Sequence, residues 1–188
     1  MTWAKICGLT RPEDVEAALD SGADALGFVM EPTSPRFVGF GTTLHHLAPE
    51  GIDAVAVFGA YRPEADLEGF RWAQCITGEP PIPAIRTLRL GEGWTMPSGE
   101  GPILIDAFDP DSFGGMGRRV DWEAAAEIVQ ATNRRVILAG GLTPENVAQA
   151  IAVVRPYGVD VSSGVEASPG VKDAGKVREF IAAVRACR

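Results

Sequence analysis

The stretch that decides the fold is RVILAGGLTPENVAQAIAVVRPYGVDVSSG, residues 135–164. It opens on a continuous apolar run and turns at Gly140 and Gly141. It then enters a segment whose Val147, Ile151 and Val154 recur at helical spacing. Thr143, just ahead of Pro144, Glu145 and Asn146, reads as the cap of that helix. After Gly158 a second apolar run, VDVS, ends in Ser162, Ser163 and Gly164. Two runs without polar alternation, joined by a helix, describe a crossover between parallel strands that are buried on both faces.

The same pattern extends in both directions. Strand-like runs appear as WAKIC from Trp3, ALGFV from Ala25, AVAVF from Ala54, AIRTLRL from Ala84 and ILI from Ile103, with RWAQCI from Arg71 a weaker one. With RVILA and VDVS they reach the eight that a (β/α)8 barrel requires. A first helix is signalled by Thr10 as cap, Pro12 in the first turn and Glu13 completing a capping box; Val15, Ala18 and Leu19 share one face and Gly22 closes it. Others start at Asp121, carrying Trp122, Ala125, Ile128 and Val129, and run through Val177, Phe180, Ile181 and Val184 near the end. The rival architecture is an open doubly wound sheet. No GxGxxG follows the first strand, which removes the Rossmann signature, although a flavodoxin-like sheet needs none. Residues 76–84, ITGEPPIPA, and 91–102, GEGWTMPSGEGP, hold too many prolines and glycines for an ordinary helix. The expectation is therefore one compact (β/α)8 TIM-barrel domain over residues 1–188, with helices four and five shortened or replaced by loops.

Composition narrows the function. A chain 46% hydrophobic and 22% charged is that of a globular domain, and no apolar run approaches the ~20 residues of a membrane span. The net charge of -8, with no basic cluster longer than GRR or NRR, argues against nucleic acid. The N-terminus lacks the basic start and long apolar segment of a secretory signal, so a cytoplasmic protein with reduced thiols is expected. Three widely spaced cysteines, Cys7, Cys75 and Cys187, form neither a disulfide framework nor a CxxC metal site. His45 and His46 are adjacent and face different directions, so no shared metal site is expected. Trp72, Trp94 and Trp122 read as packing residues.

In a barrel, reactive groups sit at the C-terminal ends of strands, and phosphate commonly binds after strands seven and eight. The Gly140–Gly141 turn and the Ser162–Ser163–Gly164 turn occupy those two places. Their backbone N–H groups can approach an anion, although each turn by itself is also an ordinary tight connection. Cys7 closes the first strand and Asp106 the sixth. Taken singly, one is a buried filler and the other a turn cap; as a pair they offer a thiolate base and a carboxylic acid across one cavity. Arg36, in SPRF, is either a solvated loop residue or a bidentate carboxylate clamp.

Taken together, KICGLT, DALGFV followed by SPR, ILIDA followed by GGMGRRVDW, LAGGLTPENV, and GVDVSSGVE with PGVKD resemble the phosphoribosylanthranilate isomerase family of tryptophan biosynthesis. The resemblance implies a metal- and cofactor-free Amadori rearrangement of a small phosphosugar, N-(5-phosphoribosyl)anthranilate. On the matching positions it implies Cys7 as general base and Asp106 as general acid, the latter held protonated by apolar surroundings. A thiol titrating near about 8.5 needs only a modest depression for its task. Arg36 would hold the anthranilate carboxylate, Asp160 would orient the anthranilate end, and Gly140, Gly141, Ser162, Ser163 and Gly164 would bind phosphate. The loop from Phe113 to Arg119 resembles a mobile flap, and Asp109 is the runner-up acid. The chain departs from the family pattern in the centre. QCITG, residues 74–78, replaces a QLHG-like strand and lacks its histidine, and Arg86 stands where the family commonly has lysine. Two alternatives stand beside this reading. The aldose–ketose isomerase of histidine biosynthesis uses an aspartate where this chain has Cys7, and a phosphate-binding barrel without turnover would keep the glycine turns alone.

Overall fold

In the computed structural model, which describes residues 1–91, 94–107 and 120–187, the apolar runs become β1 (Trp3–Cys7), β2 (Ala25–Val29), β3 (Asp53–Val57), β4 (Trp72–Cys75), β5 (Ala84–Leu90), β6 (Ile103–Ala107), β7 (Val136–Leu138) and β8 (Gly158–Val161). Each strand pairs in parallel with the next, and β8 returns to β1 with Lys5 opposite Asp160. The eight strands form a closed barrel, so the sheet has no edge and every ladder is satisfied within it.

Alternation along each strand sorts the side chains. Ala4 and Ile6 of β1 join the outer core, whereas Trp3 packs with Ala25, Val55, Ile85, Leu104, Ile137 and Ala139 inside the barrel. Trp72, also expected as a packing residue, closes the same interior cluster from the start of β4. Further along the strands the interior turns polar, with Lys5, Gln74 and Asp160 buried inside. The apolar plug thus occupies the N-terminal half of the barrel and leaves a polar cup at the C-terminal mouth.

Ordinary helices cover only part of the outside: α1 (Pro12–Asp20), α2 (Trp122–Ala131), α3 (Val147–Val154) and α4 (Ala174–Ala186). Their inward faces are those the spacing marks, including Val15, Ile128, Ile151 and Phe180. Two caps differ from expectation. Arg11 is the cap residue of α1, and the Thr10 hydroxyl donates to the Gly170 carbonyl across the fold. The cap of α3 is Asn146; a turn precedes it, and the Asn146 side chain accepts from the Thr143 N–H at 2.9 Å. Asp121 does cap α2, and Asp173, not singled out in the sequence, caps α4; each accepts two backbone N–H groups.

The shortening expected after β4 and β5 is present among the described residues, and it reaches further than the sequence suggests. Between β2 and β3 there is only a 3-10 turn, Leu44–Leu47, and no helix lies between β3 and β4. Aromatic side chains fill the missing layer. Phe28 meets Phe70 edge-on with centroids 6.1 Å apart, and Phe58 meets Tyr61 at 5.6 Å. Arg86, on the outer face of β5, braces the loop that stands for helix four: it bonds the Gly78 carbonyl, Glu79 and the Cys75 sulfur. A short hairpin, β9 (Glu166–Ser168) and β10 (Val171–Lys172), follows β8 at the mouth. No helix among the described residues is long and apolar enough to cross a membrane.

Candidate active site

Cys7 ends β1 facing the cup and is 6% exposed. Gly27, its partner on β2, makes room for it: a Cβ there would lie 2.9 Å from the Cys7 sulfur and 3.0 Å from Lys5 Cε. Lys5 is fully buried, and its ammonium donates to Gln74 Oε1 and Asp160 Oδ1, both at 2.8 Å. Burial pushes the Cys7 thiol up; Lys5, Lys172 and Arg36 pull it down, while Asp160 adds to the rise. The net direction is upward, opposite to the modest depression expected for a base. Burial desolvates the thiolate more than the surrounding cations compensate for it.

Asp106 lies on β6, its Oδ1 accepting the Ala107 N–H at 2.8 Å. Burial raises it to about 6, against the Ala107 bond and with the help of the Asp160 charge. Gly140, at φ 80°, brings the turn after β7 against this group; a Cβ there would sit 3.1 Å from Asp106 Oδ1 and 2.9 Å from the Ala107 nitrogen. Lys5 and Asp160 act electrostatically on both Cys7 and Asp106, so thiol and carboxyl share one interior.

Arg36 is not a solvated loop residue. It is 8% exposed and locked in a two-pronged pair with Glu166, Nε to Oε1 and Nη2 to Oε2, each 2.7 Å. Gly8, at φ 76°, permits this: a Cβ there would lie 2.5 Å from Arg36 Cδ and 2.9 Å from Ser162 Oγ. Glu166 also accepts from Lys172 Nζ at 2.8 Å, and Lys172 reaches the Ser162 carbonyl at 3.1 Å. Burial favours the neutral Glu166, but its bonds to Arg36 and Lys172 outweigh that and hold it below the usual carboxylate range. Glu166 takes the Nε edge of Arg36, and among the described residues no bond is made by its outer Nη1–Nη2 edge, which has the geometry to meet a second carboxylate.

The two glycine turns touch. A Cβ on Gly164 would overlap the Leu142 carbonyl, so the turn after β8 packs on the one after β7. Gly140 and Gly141 both adopt positive φ, and the Asn146 amide donates to the Gly141 carbonyl at 2.9 Å. The 3-10 turn Ser163–Val165 starts immediately after Ser162, and its first N–H groups have no partner within the turn. Asp160 stands deeper, against Lys5.

The structure therefore brings Cys7, Asp106, Asp160 and Arg36 to one mouth, with the glycine turns beside them. The Phe113–Arg119 loop and Asp109 lie outside the described residues. Sequence reasoning passed over Lys5, Gln74, Glu166 and Lys172; the available signal was a lysine inside an otherwise apolar strand and a glutamate and lysine flanking a glycine turn. A hollow of about 480 Å³ lined by Gly69, Phe70, Arg71, Trp72 and Pro83 lies at the opposite, N-terminal end. That face of a barrel carries stability, and none of the groups above borders the hollow.

Comparison with known proteins agrees with this geometry. The family model of N-(5'phosphoribosyl)anthranilate (PRA) isomerase matches residues 101–183. N-(5'-phosphoribosyl)anthranilate isomerases of Trichlorobacter lovleyi and Pseudomonas fluorescens are 42% and 43% identical, covering 96% and 97% of this chain and 97% and 98% of their own length. The crystal structure of phosphoribosyl anthranilate isomerase from Thermotoga maritima superimposes with a TM-score of 0.82 at 32% identity, covering 98% of this chain and 99% of its own. A phosphoribosyl anthranilate isomerase in complex with reduced 1-(o-carboxyphenylamino)-1-deoxyribulose 5-phosphate gives 0.79 at the same 32%, covering 98% and 99%. Identity above 40% over nearly the whole of both chains, on an eight-stranded closed barrel, places the chain in the phosphoribosylanthranilate isomerase family.

Proposed function

We propose that this chain converts N-(5-phosphoribosyl)anthranilate into 1-(2-carboxyphenylamino)-1-deoxyribulose 5-phosphate, with Asp106 as general acid and Cys7 as general base. Asp106 gives its proton to the ribose ring oxygen as the C1–O bond breaks, and the anthranilate nitrogen supplies electrons to form an iminium. The Cys7 thiolate removes the C2 proton, now acidified, and the electron pair returns to nitrogen to give an enolamine that tautomerises to the ketone. The substrate nitrogen is the electron sink, so no step calls for a metal or organic cofactor. The outer edge of Arg36 takes the anthranilate carboxylate, Asp160 helps set the anthranilate end from beside Lys5, and Gly140, Gly141, Ser162, Ser163 and Gly164 cradle the phosphate.

The observation that carries this reading is a carboxyl held protonated up to about pH 6 in the same interior as a buried thiol. Because the thiol titrates above the carboxyl, the working pair, thiolate with carboxylic acid, is the minor tautomer of thiol with carboxylate. Both tautomers carry the same number of protons. Turnover is therefore level with pH between the two titrations and falls outside them, and one reaction cycle leaves the enzyme in the favoured tautomer. Complementation of a tryptophan auxotroph lacking this isomerase tests the activity, and Cys7→Ser tests the base. Growth with wild type and loss of about 10²–10⁴ in kcat for Cys7→Ser are expected. Tight binding of a product analogue without any rearrangement above background would replace the enzyme with a binding module.

A further inference from the structure

The rearrangement leaves unexplained why the deepest polar position of the barrel holds a cation. Lys5 is 0% exposed, one of the largest fully buried side chains of the molecule, and nothing in the proposed chemistry uses it. A buried ammonium is costly unless it is paired and fully bonded. Two of its three hydrogens are taken, by Gln74 Oε1 and Asp160 Oδ1. Lys5 and Cys7 stand two residues apart on one face of β1, so both side chains point into the cup. They flank a single point above Gly27, where a Cβ would lie 2.9 Å from the Cys7 sulfur and 3.0 Å from Lys5 Cε, and the two groups act on each other electrostatically.

We propose that Lys5 is the positioning residue that sets the reactivity of Cys7: its third hydrogen is directed to the sulfur and stabilises the thiolate in a water-poor interior, with Gln74 and Asp160 fixing the ammonium there. The inference rests on Cys7 being the base. Gln74 supplies a neutral acceptor and Asp160 a single counter-charge, which holds the ammonium in place while leaving part of its field for the sulfur. The other charged groups acting on Cys7 among the described residues are Asp160 of β8, Lys172 of β10 and Arg36 after β2. Arg36 and Lys172 are both engaged by Glu166, away from the sulfur, whereas Lys5, bonded to Gln74 and Asp160, keeps one ammonium hydrogen for it. Burial works against Lys5, but Asp160 and Cys7 outweigh it and hold its titration above the ordinary lysine value, so the ammonium stays charged across the working range.

The test titrates the Cys7 thiolate by its ultraviolet absorbance, as the difference between each protein and its Cys7→Ser counterpart, alongside the pH profile of kcat/KM. In Lys5→Met the thiolate midpoint is expected to rise by about 1–3 pH units, the range for loss of a neighbouring opposite charge. The level part of kcat/KM should fall by about tenfold for each unit by which the gap between the thiol and Asp106 widens, and its alkaline limb should move up with the thiol. Lys5→Arg should restore most of both. Lys5→Met leaves Asp160 buried without its partner, so Lys5→Met/Asp160→Asn is run beside it to keep the interior neutral and folded. In that pair the titration of Cys7 is read against Asp160→Asn alone, because Asp160 itself raises the thiol, and the difference between the two reports the missing ammonium. An unchanged Cys7 midpoint in the folded variants, or a loss of activity with the alkaline limb in place, overturns the role of Lys5. Near-normal turnover by Cys7→Ser instead removes the base assignment, whatever the Lys5 titrations show.

Discussion

Asp106→Asn separates what the acid does for chemistry from what it does to the fold. Folding moves this carboxyl from 3.8 to about 6. At about 1.4 kcal/mol per unit, the ionised form weakens the native state by about 3 kcal/mol, a ceiling that partial exposure and relaxation lower to about 2–3. The sign follows from the direction. The native state holds the proton more tightly than the unfolded chain, so the stabilisation is complete below about pH 4 and is lost as pH rises to about 6. Asparagine cannot ionise, yet its Oδ1 can still accept the Ala107 N–H. The variant should therefore be the more stable protein at about pH 8, by about 2–3 kcal/mol, and no more stable than wild type at about pH 4. For a chain of 188 residues that gap corresponds to roughly 5–10 °C in Tm. Urea unfolding at a series of pH values measures the gap, and turnover by the same variant should fall by about 10²–10⁴. Equal stabilities at about pH 8, or a gap that does not close on acidification, would refute the claim that burial penalises the Asp106 charge, and the acid would lose its physical basis.

Further outcomes are expected elsewhere. Glu166→Gln removes the carboxylate that bonds both Arg36 and Lys172 and should cost about 3–5 kcal/mol in urea unfolding while raising KM more than it lowers kcat; a stability unchanged within error would show that the cluster is solvated. Gly164→Ala drives a methyl group into the Leu142 carbonyl and should separate the two turns, read as a loss of inorganic phosphate affinity, whereas Gly22→Ala, in open space, should leave it intact. His45, buried between Phe70 and His46 with neither ring nitrogen hydrogen-bonded, has its pKa lowered by burial and by His46. The neutral ring is the favoured form, so the His45 contribution to stability should decline as pH drops below about 6.5, and His45→Phe should gain on wild type over that range in a Tm-versus-pH series. A difference between the two proteins that stays constant with pH would place the acid sensitivity elsewhere.

The barrel was legible in the chain because each of its signals is local. A parallel strand buried on both faces is a short apolar run, and its crossover helix carries its own spacing and, at Asp121, its own cap. WAKIC, ALGFV and AIRTLRL became strands residue for residue. Cys7 and Asp106 could be placed at the mouth because a strand end in a barrel has a known direction. The misplaced caps at Thr10 and Thr143 fail for the opposite reason: a hydroxyl near a helix start can bond anywhere its neighbours allow, and Thr10 bonds Gly170. The loss of helices after β2 and β3 was hidden because loop aromatics such as Phe58 and Phe70 cover the sheet in their place, and periodicity does not register such packing.

What the sequence by itself determined is the order of strands and turns, and with it the end of the barrel at which reactive groups collect. Only the tertiary structure decided which charges meet: Lys5 with Asp160 across 155 residues, Arg36 with Glu166 across 130. It also decided that burial lifts both the thiol and the carboxyl above their ordinary values. Periodicity and capping depend on neighbours a few residues away, whereas desolvation and Coulomb interaction depend on whatever the closed barrel packs around a group, however distant in the chain.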